Sequence, residues 1–403
     1  MRVKRPDLNY LMRIIHSFII ALAVSLLVAG CATTERTPPQ RLTGNPAVDT
    51  PTLLTNGPSR DKVLWQYRTA ATAMQRGQFD EARQLLDDAI LTISGIIGKD
   101  AEGRKARGYF SPEARKTFIG EPYERVMAYY YRGILYWMDG EPDNARACFR
   151  SALFEDSDTL DKKYAADYVL LDYLDGLASV KLSGDGSDAL KRAQSAVRIS
   201  MPGSYNRNAN LLVFVDFGRG PTKHAAGRHG EHLMFQEHPC KIRGAQLQIA
   251  GKTYQVRAYD DLNYQATTRG GRVMDHILAN KATFKDATGI AGDAAIVSGV
   301  VLAHNRDTQP IALGAIGLGI ISKIASASTR ADADTRSWDN LPLYLSFAHL
   351  DVPAGEQAVT IDFLDEGNHV ITGLTKKMTI NVPPNGADKV VYVSDKSTTP
   401  QNL

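Results

Sequence analysis

The sequence predicts an α+β protein in which helical repeats fill the first half and short strands fill the second. Between residues 61 and 200, alanine and glycine recur at helical spacing in matched blocks. After residue 205 the apolar period changes to two, and short runs alternate with turns rich in Gly, Pro and Asn. A chain of 403 residues with 43% hydrophobic content is long enough to build two cores.

The first 30 residues have the layout of an export signal. Basic residues open the chain, and residues 18–28 form an uncharged apolar run that is too short to span a bilayer. The run ends in VAGC at residues 28–31, which resembles the lipobox of bacterial lipoproteins. The resemblance implies cleavage before Cys31 and acylation of its thiol, with Ala32 favouring the outer membrane, facing the periplasm. Residues 31–60, which include the lipidated cysteine, are expected to form a flexible tether.

Residues 61–200 contain two blocks whose small and apolar residues share identical offsets. These are Ala70, Gly77, Ala82, Leu86 and Ala89 in the first block, and Gly133, Gly140, Ala145, Phe149 and Ala152 in the second. A third, looser block contains Gly176, Ala189 and Ala196. A small residue on the first helix lets the second helix approach closely, which is the signature of a tetratricopeptide (TPR) helix pair. A generic helical bundle is the alternative interpretation.

Several motifs outside this pattern resemble an uncharacterised family of TPR-bearing bacterial lipoproteins. The motifs are Phe118 with Gly120–Arg125, the aromatic run Tyr129–Tyr131, Gly218–Lys223, Asp334–Trp338 and Leu341-Pro342. They are distributed over most of the chain after Cys31. The resemblance implies architecture and location, and it implies no particular activity.

Two motifs offer side chains for binding a partner. Glu121, Tyr123, Glu124 and Arg125 would line the inner groove of a helical array, where aromatic and charged anchors bind peptides. A tight helix N-terminus that begins at a proline is the equal alternative. Arg219 and Lys223 border a Gly-Pro turn and would hold an anionic group, unless they are simply exposed residues of a rigid turn.

Residues 205–395 are expected to form a β-rich, sandwich-like domain. An apolar, Gly-rich insert at residues 289–325 has two arms whose small residues recur every three or four positions. Three interpretations of this helical hairpin remain open: burial within the fold, contact with a partner or a second copy, and insertion into a membrane.

Residues 224–240 contain the densest group of metal-ligating side chains: His224, His229, His232, His238 and Cys240. Imidazole and thiolate bind zinc or copper well, but the spacing matches no known zinc motif. A polar surface loop is the plainer interpretation. A disulfide between Cys148 and Cys240 would suit an oxidising compartment, although Cys148 falls within a helical core pattern.

These features favour binding over chemistry. The net charge of +3 is too small to indicate a nucleic-acid partner. The sequence contains no recognisable catalytic constellation, and nothing in it calls for a cofactor. We therefore expect a membrane-anchored, periplasm-facing lipoprotein that acts as a protein–protein interaction scaffold in cell-envelope assembly or regulation. A homo-oligomer through residues 289–325 is one form that such contacts would take. The alternative is an envelope protein that binds a ligand or metal through residues 224–240.

Overall fold

A computed structural model describes residues 43, 46–98, 117–158, 164–228, 230, 232–268 and 333–398. The signal segment, Cys31, His229 and the apolar insert at 289–325 lie outside these residues. The chain from Pro46 onward forms one compact unit. In its described parts, mixed α+β structure places helices in the N-terminal half and a nearly closed sheet in the C-terminal half.

The helices come first along the chain. They are α1 (Pro46–Asn56), α2 (Lys62–Arg76), α3 (Phe79–Gly98), α4 (Pro122–Met138), α5 (Pro142–Asp156), α6 (Val169–Lys181), α7 (Ser187–Ser195) and a later short helix, α8 (Leu262–Thr267). Helix α2 packs with α3, α4 with α5, and α6 with α7, and short turns join the members of each pair. The first of these turns begins at Gly77, whose left-handed backbone, with φ of 70°, ends α2.

Glycine allows close packing within two of these helix pairs. A methyl group added at Gly133 of α4 would lie 2.5 Å from the Phe149 ring on α5. One added at Gly176 of α6 would overlap the Tyr205 hydroxyl and would lie 3.0 Å from the Ala189 methyl on α7. The small residues that the sequence repeats at these positions therefore set how closely the helices approach.

The strands follow the helices. They are β1 (Leu211–Phe217), β2 (Thr222–Ala226), β3 (His232–Gln236), β4 (Gly244–Ile249), β5 (Lys252–Asp261), β6 (Tyr344–Leu350), β7 (Gly355–Leu364), β8 (Lys376–Val382) and β9 (Lys389–Ser394). Within the described ranges, seven of them form one sheet in the order β8-β7-β4-β5-β6-β1-β9. Its neighbours are antiparallel except β1 and β9, which are parallel. Strands β2 and β3 form a separate hairpin.

The sheet curls so that β8 returns towards β9. Lys376 at the start of β8 donates a hydrogen bond to the carbonyl of Ser397 at 2.7 Å, just beyond the end of β9. A register shift between Ala258 and Asp260 in β5 marks an irregularity of the kind that bends a strand. The described strands thus form one curled seven-stranded sheet and the separate β2–β3 hairpin, so the sandwich expected for residues 205–395 is not confirmed.

Alternating side chains give the sheet two buried faces. On β1, Val213, Val215 and their neighbours fill the inside of the curl. Leu212 and Phe214 point the other way, into a core that they share with the helices. Helices α4 and α6 are buried along nearly their whole length, because the sheet packs on one side of them and the other helices pack on the rest. The helix-rich and strand-rich segments therefore meet in a common core.

The segment assigned to the tether also differs from expectation at its end. Residues 46–56 form α1, which packs on α2. Thr50 is buried there, and its hydroxyl hydrogen-bonds that of Thr69. Too few apolar residues lie in this segment to give a periodic signal, so the helix depends on its contact with α2. Among the described helices, none combines the length and apolarity needed to cross a membrane.

Candidate functional site

Three of the sequence motifs meet at one buried ion pair. Glu124, in the first turn of α4, accepts a hydrogen bond from Lys223 on β2, with 2.5 Å between Oε2 and Nζ. Its other oxygen, Oε1, accepts from the backbone N–H of Trp338 at 2.7 Å. Lys223 also donates to the carbonyl of Arg336 at 2.9 Å. A capping box between Glu121 and Glu124 begins the helix that places this carboxylate.

Burial disfavours the charged form of both members of the pair. Burial raises the pKa of Glu124, and the Lys223 ammonium opposes that shift. Burial lowers the pKa of Lys223, and the Glu124 carboxylate opposes that decrease. The ring of Phe118 lies 5.3 Å from the ammonium, and Trp338 stacks on Tyr67 at 4.3 Å beside it. The pair therefore joins α4 to β2 and to the segment that leads into β6.

The neighbouring residues of the same motif are also used inside the chain. Arg125 donates to Glu155 at 2.5 Å and to Asp158 at 2.7 Å. Tyr123 is buried, and its ring meets the edge of Phe235 on β3. The groove that these side chains were expected to line is filled by the protein's own sheet and loops. A partner therefore has no access to Tyr123, Glu124, Arg125 or the Lys223 ammonium in this structure, and Glu121 is nearly as buried.

Arg219 differs from these residues because it is exposed, on the turn that follows β1. Its charge acts on His238 and Lys396: burial lowers the pKa of both groups, and the Arg219 charge lowers each further. Arg219 and Lys223 therefore do not form a joint anion site, since Lys223 is bound to Glu124 inside the fold.

A second buried carboxylate lies where α4 meets the sheet. Asp216 of β1 accepts hydrogen bonds from the hydroxyls of Tyr131 at 3.1 Å and Tyr392 at 3.2 Å, with Tyr130 at 3.5 Å. Burial raises the pKa of Asp216 to about 7, although the three hydroxyls and their hydrogen bonds favour the ionised form. The group is closed to solvent, so it joins elements and does not present a reactive site.

A third carboxylate, Asp260, caps α6 from the sheet. It accepts from the backbone N–H groups of Val169 at 2.9 Å and Leu170 at 2.8 Å. These donors are left without helical partners at the N-terminus of α6, and the helix dipole favours a negative charge there. Burial nevertheless raises the pKa of Asp260 to about 7. Neither Asp216 nor Asp260 was identified from the sequence, because an acidic residue within an apolar strand pattern does not reveal its partner.

An open cleft of about 360 Å³ lies on the outer surface between α5 and α7, with α6 as its floor. Charged residues of both signs dominate its lining: Arg146, Arg150, Asp175, Asp185, Asp188 and Arg192. Arg146 and Arg192 come from different helices and both pair with Asp175 beneath them. These residues fall within the helical repeats predicted for residues 61–200, but no sequence pattern identified them as a site.

The described histidines of residues 224–240 and Cys240 lie in different environments. His224 and His232 are exposed on the β2–β3 hairpin, and His238 shares a hydrogen bond with the Thr222 hydroxyl at 3.0 Å. Cys240 is turned towards the carbonyl of Ile242, with its sulfur 3.4 Å from that oxygen. No three His, Cys, Asp or Glu side chains among the described residues are grouped to hold a metal ion.

Both described cysteines are free thiols, so Cys148 and Cys240 are not bonded to each other in this structure. Burial raises the pKa of Cys148 to about 12 and also raises that of Cys240. Neither group is therefore an activated nucleophile.

Comparison with family models, curated proteins and solved structures finds no match to the chain.

Proposed function

We propose that the chain is a membrane-anchored lipoprotein that faces the periplasm and serves as a protein–protein interaction scaffold in cell-envelope assembly or regulation. Its anchor would be the acylated Cys31, and the outer membrane would be its site. The helix pairs would be TPR-like, in line with the lipoprotein family that the motifs resemble. An envelope protein would be its partner.

One observation carries the scaffold assignment: the helix pairs are stacked side by side with their outer layer in solvent. The inner faces of α4 and α6 pack against the sheet, so the surface that remains for a partner is that of α3, α5 and α7. Two large apolar side chains project from this layer, Leu91 with 74% of its surface exposed and Phe154 with 72%. Exposed residues of this size supply the apolar anchors of many protein interfaces.

The docking surface would lie on the outer side of the helices, opposite the face that packs against the sheet. Peptides bind many helical arrays on the concave face, but here the chain's own sheet takes that position. A partner would instead cover the exposed layer that carries Leu91 and Phe154.

The partner proposal is tested by cross-linking the full-length protein in native membranes, followed by affinity purification and mass spectrometry. The double variant Leu91→Glu/Phe154→Glu is compared with Val370→Glu, a control in which an exposed apolar residue beside the sheet is changed. We expect an enriched envelope protein in the unmodified chain and in the control, and its loss in the double variant. Equal recovery from all three would place docking elsewhere.

A variant without residues 289–325 is purified in parallel and sized. Loss of the partner or of an oligomer in this variant would assign the contact to the apolar insert and not to the outer helices.

The anchor is tested separately by growing cells with a labelled fatty acid. The unmodified chain is expected to take up the label and to fractionate with the outer membrane. Cys31→Ser is expected to lose the label. Labelling that survives this substitution would contradict the assignment of Cys31.

A further inference from the structure

In the cleft between α5 and α7, carboxylates of α6 orient two arginine side chains. Arg146 donates through Nε to Asp175 at 2.8 Å, and Arg192 donates through Nε to Asp172 at 2.7 Å. Asp172 and Asp175 both lie on α6 and are buried, so they hold the two guanidiniums at the floor of the cleft. About a third of the Arg146 side chain and half of the Arg192 side chain stay exposed (37% and 50%).

This arrangement leaves donors unused. A guanidinium has five N–H groups in a planar fork, and Arg146 uses only Nε in its contact with Asp175. Arg150, one turn further along α5, lines the same cleft and has no acidic partner among the described residues. Three guanidiniums on one cleft, two of them oriented by buried carboxylates, match what a carboxylate ligand requires.

The start of α7 adds two carboxylates to the other rim of the cleft. Asp185 and Asp188 stand at the start of α7 and are exposed; the Asp185 carboxylate accepts hydrogen bonds from the backbone N–H and the hydroxyl of Ser187, both at 2.9 Å, and Asp188 interacts electrostatically with Arg192. Asp188 has a loose contact of 3.5 Å with Lys191, and both side chains of this pair are exposed, so little holds it. These carboxylates would repel a ligand with several negative charges, but they would attract an ammonium group.

We propose that this cleft binds a short zwitterionic peptide, with its terminal carboxylate on Arg150 and the neighbouring arginines and its ammonium on Asp185 and Asp188. The volume of about 360 Å³ is near the lower end for ligand sites and has room for about two residues. Phe154 lies one helical turn beyond Arg150 on α5 but does not line the cleft, and peptide binding there requires neither the lipid anchor nor a protein partner.

The test is calorimetric titration of the full-length chain in detergent with three dipeptides. Alanyl-alanine carries both charges, N-acetyl-alanyl-alanine lacks the ammonium, and alanyl-alanine amide lacks the carboxylate. We expect binding of the first and at least tenfold weaker binding of the other two. Absence of alanyl-alanine binding would overturn the proposal. Equal binding of the acetylated form, or of inorganic phosphate, would overturn the zwitterion assignment.

Two variants locate the site. Arg150→Gln removes a guanidinium that the fold does not use, and it is expected to weaken alanyl-alanine binding at least tenfold. Asp188→Asn is expected to weaken binding of alanyl-alanine while leaving that of the acetylated form unchanged. Arg228→Gln, an exposed arginine on the β2–β3 hairpin, is the control. Unchanged thermal unfolding shows that each variant is folded, and unchanged affinity in Arg150→Gln would contradict the proposal.

Discussion

Glu124 and Lys223 form a buried ion pair that stabilises the fold only while both charged groups are present. Each group loses its hydration on burial, and the contact between them, with the backbone hydrogen bonds around it, offsets that loss. Removing one partner leaves the other charge buried without compensation. An exposed pair such as Asp188 and Lys191 carries no comparable penalty, because water solvates either group alone.

We therefore expect Lys223→Met to lower the free energy of unfolding by about 3–5 kcal/mol. Lys191→Met, the exposed control, should change it by no more than about 0.5 kcal/mol. Urea denaturation followed by circular dichroism measures both. Equal effects of the two substitutions would show that the buried pair does not stabilise the fold.

Asp216 makes stability depend on pH in a defined direction. Burial raises its pKa in the folded chain to about 7, well above the ordinary aspartate range. Between about pH 4 and 7 the folded state then holds a proton that the unfolded chain has lost. Stability from this group is fully present below about pH 4, declines between about pH 4 and 7 by at most about 1.4 kcal/mol per pH unit, and levels off above pH 7.

Asp216→Asn should remove this contribution. Compared with the unmodified chain, its free energy of unfolding should decline less steeply from pH 5 to 7.5, as measured by urea titrations at each pH. Glu356→Gln, an exposed carboxylate on β7, should leave the slope unchanged. A variant slope that matches the unmodified one would place the Asp216 pKa within its ordinary range.

At the scale of elements, two helical glycines differ in what surrounds them. Gly133 faces the Phe149 ring, whereas nothing lies within 4 Å of a methyl group added at Gly95, near the end of α3. Overpacking at the first position costs energy, while alanine at the second reduces the entropy of the unfolded chain and favours the helix.

We expect Gly133→Ala to destabilise the protein by about 1–3 kcal/mol and Gly95→Ala to stabilise it by about 0.5–1 kcal/mol. Thermal unfolding of both variants shows whether each substitution raises or lowers the stability. If Gly133→Ala were neutral, the close approach of α4 and α5 would not depend on that position.

Asp260 makes a similar link between elements, from β5 to the N-terminus of α6. Asp260→Ala should cost about 1–3 kcal/mol, because the two backbone N–H groups that it accepts from would remain buried without a partner. Hydrogen exchange at Val169 and Leu170 should accelerate in this variant more than exchange in β4. Uniform acceleration would contradict a local role.

At the scale of the whole molecule, helices and strands share a core that includes Phe214, Phe347 and Tyr392 from the sheet. We expect the helices and the sheet to unfold together. Tryptophan fluorescence, which reports on Trp65 and Trp137 in the helices and on Trp338 between the helices and the sheet, and far-ultraviolet circular dichroism should give coincident urea transitions. Two separated transitions would show that the halves are stable independently.

Local pattern was enough to predict the helix pairs and the change to strands near residue 205. The small residues at Gly133 and Gly176 also indicated close packing, because that constraint acts between neighbours in the chain. The partners of Glu124 and Asp216 could not be predicted, since they come from positions far apart in sequence. For Glu121–Arg125 the structure shows the equal alternative, a helix N-terminus that begins at Pro122 with a capping box, and no local feature signals that a later sheet will cover α4.

The position of β9 affects how the protein must be made. Strand β1 begins at residue 211, yet its parallel neighbour is complete only at residue 394. A ribosome must therefore synthesise nearly the entire strand-rich segment before β1 gains this neighbour. A chain that stopped after β8 would also lack Asp388, which accepts from the Trp137 indole, and the Tyr392 hydroxyl that binds Asp216. Such premature products would expose the apolar face of α4, a feature by which proteases and chaperones distinguish unfinished chains from finished ones.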